Sequence, residues 1–183
     1  AGGTAVAAEP GPTTITIFDG VGVLEDFSQY ALGRAGLTPT EDRILGFAAA
    51  QALGWIGDSL SLEVEAQVVH HHGRGDFWEL GTALVARWRG LALPEWLGGL
   101  QLLDGWSVGI GPSITTEIPP LEADRGRFSH VLNQLVVELL LPVPDDAPVQ
   151  PVERIHHRSG IFGLINGIVG GSDYIGQGIQ LRF

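Results

Sequence analysis

The chain has 183 residues, 44% of them hydrophobic, with a net charge of −11 at pH 7 and a mean hydropathy of +0.20. All ten basic residues are Arg, and neither Cys nor Met occurs. An acidic chain lacks the basic face a nucleic-acid binder needs for phosphates. The absence of Cys excludes a disulfide framework and a thiolate metal site, and no apolar run reaches the roughly 18–20 residues of a membrane helix.

Residues 1–12 are small, carry Pro10 and Pro12, and are expected to form a flexible lead-in. The start at Ala1-Gly2-Gly3 has the character of a processed terminus, so an exported protein is expected. From 13 to 183 the pattern predicts one domain of eight strands: 13–24, 43–54, 58–71, 76–88, 105–118, 128–141, 151–163 and 172–183. Each is long enough to cross a bilayer at a tilt.

The gap at 25–42 is long and acidic, and 55–57 is a tight turn. In 58–71, Leu60, Leu62, Val64 and Val68 alternate with Ser61, Glu63, Glu65 and Gln67. In 76–88, Trp78, Leu80 and Trp88 oppose Glu79 and Arg87. The segment 89–104, with Leu91, Leu93, Leu97, Leu100 and Leu103, fits either an amphipathic interfacial helix or a turn followed by a longer strand. In 105–118, Trp106, Val108 and Ile110 oppose Ser107, Gly109 and Glu117; in 128–141, Leu135, Val137 and Leu139 oppose Gln134 and Glu138. The gap 142–150 is Pro-rich, and the last strand sets Ile179 and Phe183 against Gln180 and Arg182.

Period two gives each strand one apolar and one polar face. A soluble sandwich also alternates, and a soluble lipid-binding barrel would turn its apolar face inward. Two features favour a membrane barrel. The polar faces mix Gly and Ser with lone charges, and Trp78, Trp88 and Trp106 sit at strand ends where an aromatic girdle lies. The expected fold is all-β: an eight-stranded antiparallel transmembrane up-and-down β-barrel with a polar, side-chain-filled lumen. Its lumen is expected to hold Glu63, Glu65, Glu79, Glu117 and Glu138 against Arg87, Arg154, Arg158 and Arg182, because buried charges must pair.

Two clusters have chemical potential. His70-His71-His72 places only His70 and His72 on one face, a metal pair if a third ligand arrives and otherwise a polar rim. His157 and Ser159 share the lipid-facing side of strand seven, in its outer half, where a polar pair is costly unless it acts or is covered. A base beside a hydroxyl can activate it. Antiparallel counting sets Asn133 opposite Ser159 as a donor to an oxyanion, with Gly160 a second candidate. Asp173 shares the outward parity and is the candidate to orient His157, although hairpin counting puts it nearer Phe162.

The stretches Glu65-Ala-Gln-Val-Val-His-His-His72, Phe77-Trp-Glu79, Ala86-Arg-Trp88, His156-His-Arg-Ser-Gly-Ile-Phe-Gly163, Gly170-Gly-Ser-Asp-Tyr174 and the terminal Phe183 resemble the outer-membrane lipid A deacylases of the PagL type. The resemblance implies an eight-stranded outer-membrane barrel and a Ser hydrolase working from the membrane side on a lipid A acyl ester, without a cofactor. Its His-x-Ser motif falls on His157 and Ser159. The chain departs from the family at Gly160, where Asn usually follows the Ser, and at Gly171, where the acid usually stands. The expected partner is lipopolysaccharide or outer-membrane lipid. A catalytically inactive barrel that scaffolds envelope proteins is the alternative.

Overall fold

The computed structural model describes residues 12–183 except 32, 35, 93–100, 125, 127, 145 and 146, and of Ala31, Leu91, Ala92 and Gln101 the backbone only. The expected lead-in lies almost wholly outside the described residues. Eight strands, β1 (Thr13–Val23), β2 (Pro39–Ile56), β3 (Leu60–His72), β4 (Phe77–Ala92), β5 (Gln101–Thr115), β6 (Val131–Leu140), β7 (Val149–Ser159) and β8 (Gly171–Arg182), close in chain order into an antiparallel barrel. Helices α1 (Phe27–Ala31) and α2 (Pro120–Ala123) sit in the connections. One end of the barrel, the loop end, carries 24–38, 73–76, 116–130 and 160–170; the chain termini lie at the other, the turn end.

Two expectations need correction. The helix proposed over 89–104 is not formed at either flank, where β4 runs on to Ala92 and β5 begins at Gln101; its middle, 93–100, lies outside the described residues. Strand seven ends at Ser159 and not at 163, because Ile161 and Phe162 adopt φ of 50° and 53° and Gly163 φ of 92°. These left-handed residues break the ladder. Gly160 marks the turning point: a Cβ there would meet the Ile168 carbonyl oxygen at 2.3 Å.

The register fixes the tilt. Starting at Trp78 on β4, the ladder partners in turn are His70, Leu45, Asp19, Gln177, Glu153, Leu139 and Trp106, and the row returns to β4 at Trp88. One circuit therefore climbs ten residues along the strand, from 78 to 88. With a rise of about 3.3 Å per residue and about 4.8 Å between strands, the strands tilt about 40° and the two Trp levels stand about 25 Å apart. The row is a ruler for the outer wall. Trp78 is exposed at its loop-end limit; Trp88 stacks on Trp106 at 4.2 Å at the other, beside Trp55, whose ring carries the Arg89 guanidinium at 4.3 Å. Between these levels the wall presents Ile17, Leu45, Phe47, Val64, Leu80, Leu84, Ile110 and Ile179, all exposed. Asp19, Gln177 and Glu153 interrupt it halfway along the row.

Inside, the polar faces meet. Arg154 donates to Glu65 at 2.7 Å, to Gln67 at 2.6 Å and to Glu138, with its guanidinium over the Phe18 ring at 4.3 Å. Arg87 donates to both oxygens of Glu63 at 3.1 Å and pairs with Glu138 at 3.1 Å. Toward the loop end, His71 and His156 both reach Glu79 Oε2, at 3.0 and 3.1 Å, and the Tyr174 hydroxyl lies 3.2 Å from His71 Nδ1. Arg158 donates to both oxygens of Glu122 at 2.5 and 2.6 Å, so α2 caps the lumen. The interior is a charged lattice of packed side chains. Two of its expected members are elsewhere: Glu117 is exposed beyond the end of β5, and Arg182 is exposed at the turn-end mouth with no ion pair among the described residues. Glu117 lies past the end of β5, where parity no longer says which way a side chain faces; Arg182 is still in the ladder, opposite Thr14, but at the last rung of β8, where the lumen opens to solvent.

Candidate functional site

His157, Ser159 and Asp173 lie on the outer wall where β7 and β8 reach the loop end. His157 and Asp173 are direct partners across the ladder, and Ser159 is opposite Gly171. Because β7 stops at Ser159, the hairpin closes later than simple counting implies, and Asp173 falls beside His157 and not beside Phe162. His157 Nδ1 lies 2.7 Å from Asp173 Oδ1. That contact commits one ring nitrogen and leaves Nε2 without a hydrogen-bond partner among the described residues. Asp173 is fully buried; its Oδ2 has no hydrogen-bond partner among the described residues.

The burial comes from the first loop. Helix α1 lays the Phe27 ring 5.4 Å from the His157 ring, and the Tyr30 hydroxyl donates to Asp173 Oδ1 at 3.1 Å. Phe27 and Tyr30 hold each other edge to face at 5.6 Å. Burial, then the Asp173 charge, pushes the Tyr30 phenol well above its ordinary value, so it remains a donor. A carboxylate receiving an imidazole and a phenol is fixed in orientation, which fixes the imidazole in turn. The loop is clamped at its base: Glu25 accepts from Thr38 Oγ1 at 2.6 Å and from Thr38 N at 2.8 Å, and these bonds hold its carboxyl below the usual range.

Ser159 and His157 share a face of β7, two residues apart, which puts their Cα atoms roughly 6.5 Å from each other. The Ser159 hydroxyl makes no hydrogen bond among the described residues and is half-buried. Asn133 is its ladder partner on β6, and the Asn133 amide donates to the neighbouring Gln134 carbonyl at 3.0 Å. Gly160 is buried at the loop base and its carbonyl accepts from Ile165 N at 2.9 Å. The ruler puts Ser159 about six residues above Glu153 on β7, level with Trp78, at the loop-end edge of the apolar band.

The His triplet divides as parity dictates. His70 and His72 stack outside at 5.8 Å, and His70 is held by Asp76 at 2.7 Å and packed on Trp78 at 4.6 Å; His71 turns into the lumen lattice. Among the described residues no group of three His, Asp or Glu side chains is arranged to hold a metal ion. Sequence reasoning missed Phe27, Tyr30 and Glu122, which sit in connections where no period marks them. His71 and His156 were within its reach, since their parity is that of Glu79 and Arg154.

No family model matches the chain, and no curated protein matches it. Among solved structures it is similar to the N-terminal β-barrel domain of Pseudomonas aeruginosa OprF, at 11% identity and a TM-score of 0.49, over 96% of this chain and all of that one.

Proposed function

We propose that this chain is an outer-membrane barrel that hydrolyses an acyl ester of lipid A with Ser159 as nucleophile. The membrane placement rests on the distribution of side chains: a charged lumen inside, an apolar wall outside, and Trp at two levels about 25 Å apart, the height of a bilayer's apolar band. The observation that carries the chemistry is the His157–Asp173 contact at 2.7 Å, a base and an orienting acid on an outward surface two residues from a serine. A structural role alone gives no reason to seat a buried carboxylate against an imidazole on the lipid side. The resemblance to PagL-type deacylases assigns the same Ser and His, and Asp173 stands in for the acid that Gly171 cannot supply. In the reaction His157 Nε2 takes the Ser159 hydroxyl proton as Oγ attacks the ester carbonyl; the alcohol leaves with that proton, and water then releases the fatty acid from the acyl-serine. Hydrogen bonds between a catalytic base and its nucleophile often tighten only when substrate is bound.

A fluorophosphonate probe on the refolded protein in detergent tests the nucleophile. Labelling of the peptide containing Ser159, lost in Ser159→Ala and strongly reduced in His157→Ala, is the expected result. Absence of label at Ser159 would favour the scaffolding alternative, in which α1 covers His157 and Asp173 permanently.

A further inference from the structure

The connection 160–170 differs from the other loop-end connections. It has no charged residue, whereas 24–38 carries Glu25, Asp26 and Arg34, 73–76 carries Arg74 and Asp76, and 116–130 carries Glu117, Glu122 and Asp124. Three of its large side chains are turned out: Phe162 is 95% exposed, Leu164 82% and Val169 65%. This shape is built. Ile161 and Phe162 hold left-handed φ values that β-branched and bulky residues rarely adopt, and the turn is closed by Leu164 N to Ile161 O at 3.1 Å and Ile165 N to Gly160 O at 2.9 Å. Ile168 is buried as its anchor, and Asn166 Nδ2 donates to Ser129 Oγ at 2.9 Å, tying the loop to the connection before β6.

That tether joins the loop to the apolar wall. Next to Ser129 stands Phe128, exposed, followed by Val131, exposed and paired across the ladder with exposed Ile114. On the ruler Ser159 and Val131 are level with Trp78, so the loop begins where the apolar band ends. Backbone strain spent on exposing Phe162 and Leu164 at that level implies an apolar medium on their far side.

We propose that 160–170 is a lipid-inserting wedge: Phe162 and Leu164, with Phe128 beside them, enter the acyl-chain region of the outer leaflet and part it next to Ser159. The proposal rests on the membrane reading above and is independent of hydrolysis. A charged headgroup or a polar partner surface would leave those side chains unsolvated by anything of their kind, while acyl chains match an uncharged, convex, apolar loop.

The chain has no cysteine, so single cysteines report cleanly. Bimane is attached to Phe162→Cys, Leu164→Cys, the wall position Leu80→Cys and the open loop position Gly36→Cys, each refolded into phosphatidylcholine vesicles with and without brominated acyl chains. The expected result is quenching by brominated lipid at 162 and 164 comparable to that at 80, with several-fold less quenching by aqueous iodide than at 36. Iodide quenching at 162 and 164 equal to that at 36, with 80 still lipid-quenched, overturns the wedge alone. Iodide quenching at 80 overturns the membrane reading beneath it. Protection at 162 and 164 from both quenchers means that protein covers the loop, which also overturns the lipid assignment.

Discussion

His157 Nδ1 and Asp173 Oδ1 are 2.7 Å apart across the β7–β8 ladder, and the carboxylate of that pair is fully buried beneath the first loop. On the proposed mechanism Asp173 sets the imidazole tautomer. Asp173→Asn should lower kcat for lipid A deacylation by roughly 10²–10⁴-fold, the range for losing a positioned acid–base function, with little change in KM. Tyr30→Phe removes the second donor to the same oxygen and should cost less. Steady-state kinetics on both variants checks the order; equal activity of Asp173→Asn and the natural chain would remove Asp173 from the mechanism.

The acid cannot be moved back to the position it usually takes in the resembling family. A Cβ at Gly171 would lie 1.6 Å from the Arg158 carbonyl oxygen. Gly171→Ala should therefore destabilise the barrel by about 1–3 kcal/mol through overpacking, measured by urea unfolding in vesicles, and Gly171→Glu should not rescue Asp173→Asn.

Much of this was legible in the sequence, for a physical reason. A barrel wall one residue thick obliges every strand residue to face outward or into the lumen, so alternation alone sorts Glu63, Glu65, Arg87, Glu138, Arg154 and Arg158 inward and Ser159 outward. The same rule fails wherever the ladder stops. Glu117 lies past that limit, Arg182 stands at the last rung where the lumen is open, and Asp173 was misplaced because nothing periodic announces that Ile161 and Phe162 leave the strand. Phe27 and Tyr30 reach the site from a loop by contacts 130 and 143 residues away in sequence, a distance at which local pattern carries no information.

Arg154 holds the middle of the lumen between Glu65 and Glu138. Arg154→Ala leaves two buried carboxylates short of a partner and should lower unfolding free energy by about 3–5 kcal/mol. The same urea titration measures it. A loss below about 1 kcal/mol would mean that water fills the lumen and the lattice is not dry.

Glu153 stands halfway along the row joining the two Trp levels, facing outward. If that wall meets lipid, Glu153→Leu should stabilise the barrel in phosphatidylcholine vesicles by up to about 2 kcal/mol and have less effect in detergent. Destabilisation in vesicles would contradict the depth assigned to it.

The loop clamp should respond to acid. Glu25 has its carboxyl held below the usual value by Thr38, so the clamp is complete above the ordinary Glu pKa of about 4.3 and is lost as pH falls through the lowered folded value. Hydrogen exchange across 24–38 should thus stay slow at pH 5 and quicken only below the ordinary value, while Glu25→Gln should quicken it already at neutral pH. An opening of the natural loop between pH 5 and 7 would contradict this origin.

The reading of Ser159 as a nucleophile acting on lipid A is tested most directly by mass spectrometry of lipid A from cells expressing the natural chain or Ser159→Ala at equal levels in the outer membrane. The expected result is lipid A lighter by one acyl chain with the natural protein and unaltered with the variant. Lipid A that keeps all its acyl chains in both, or loses one in both, would contradict it.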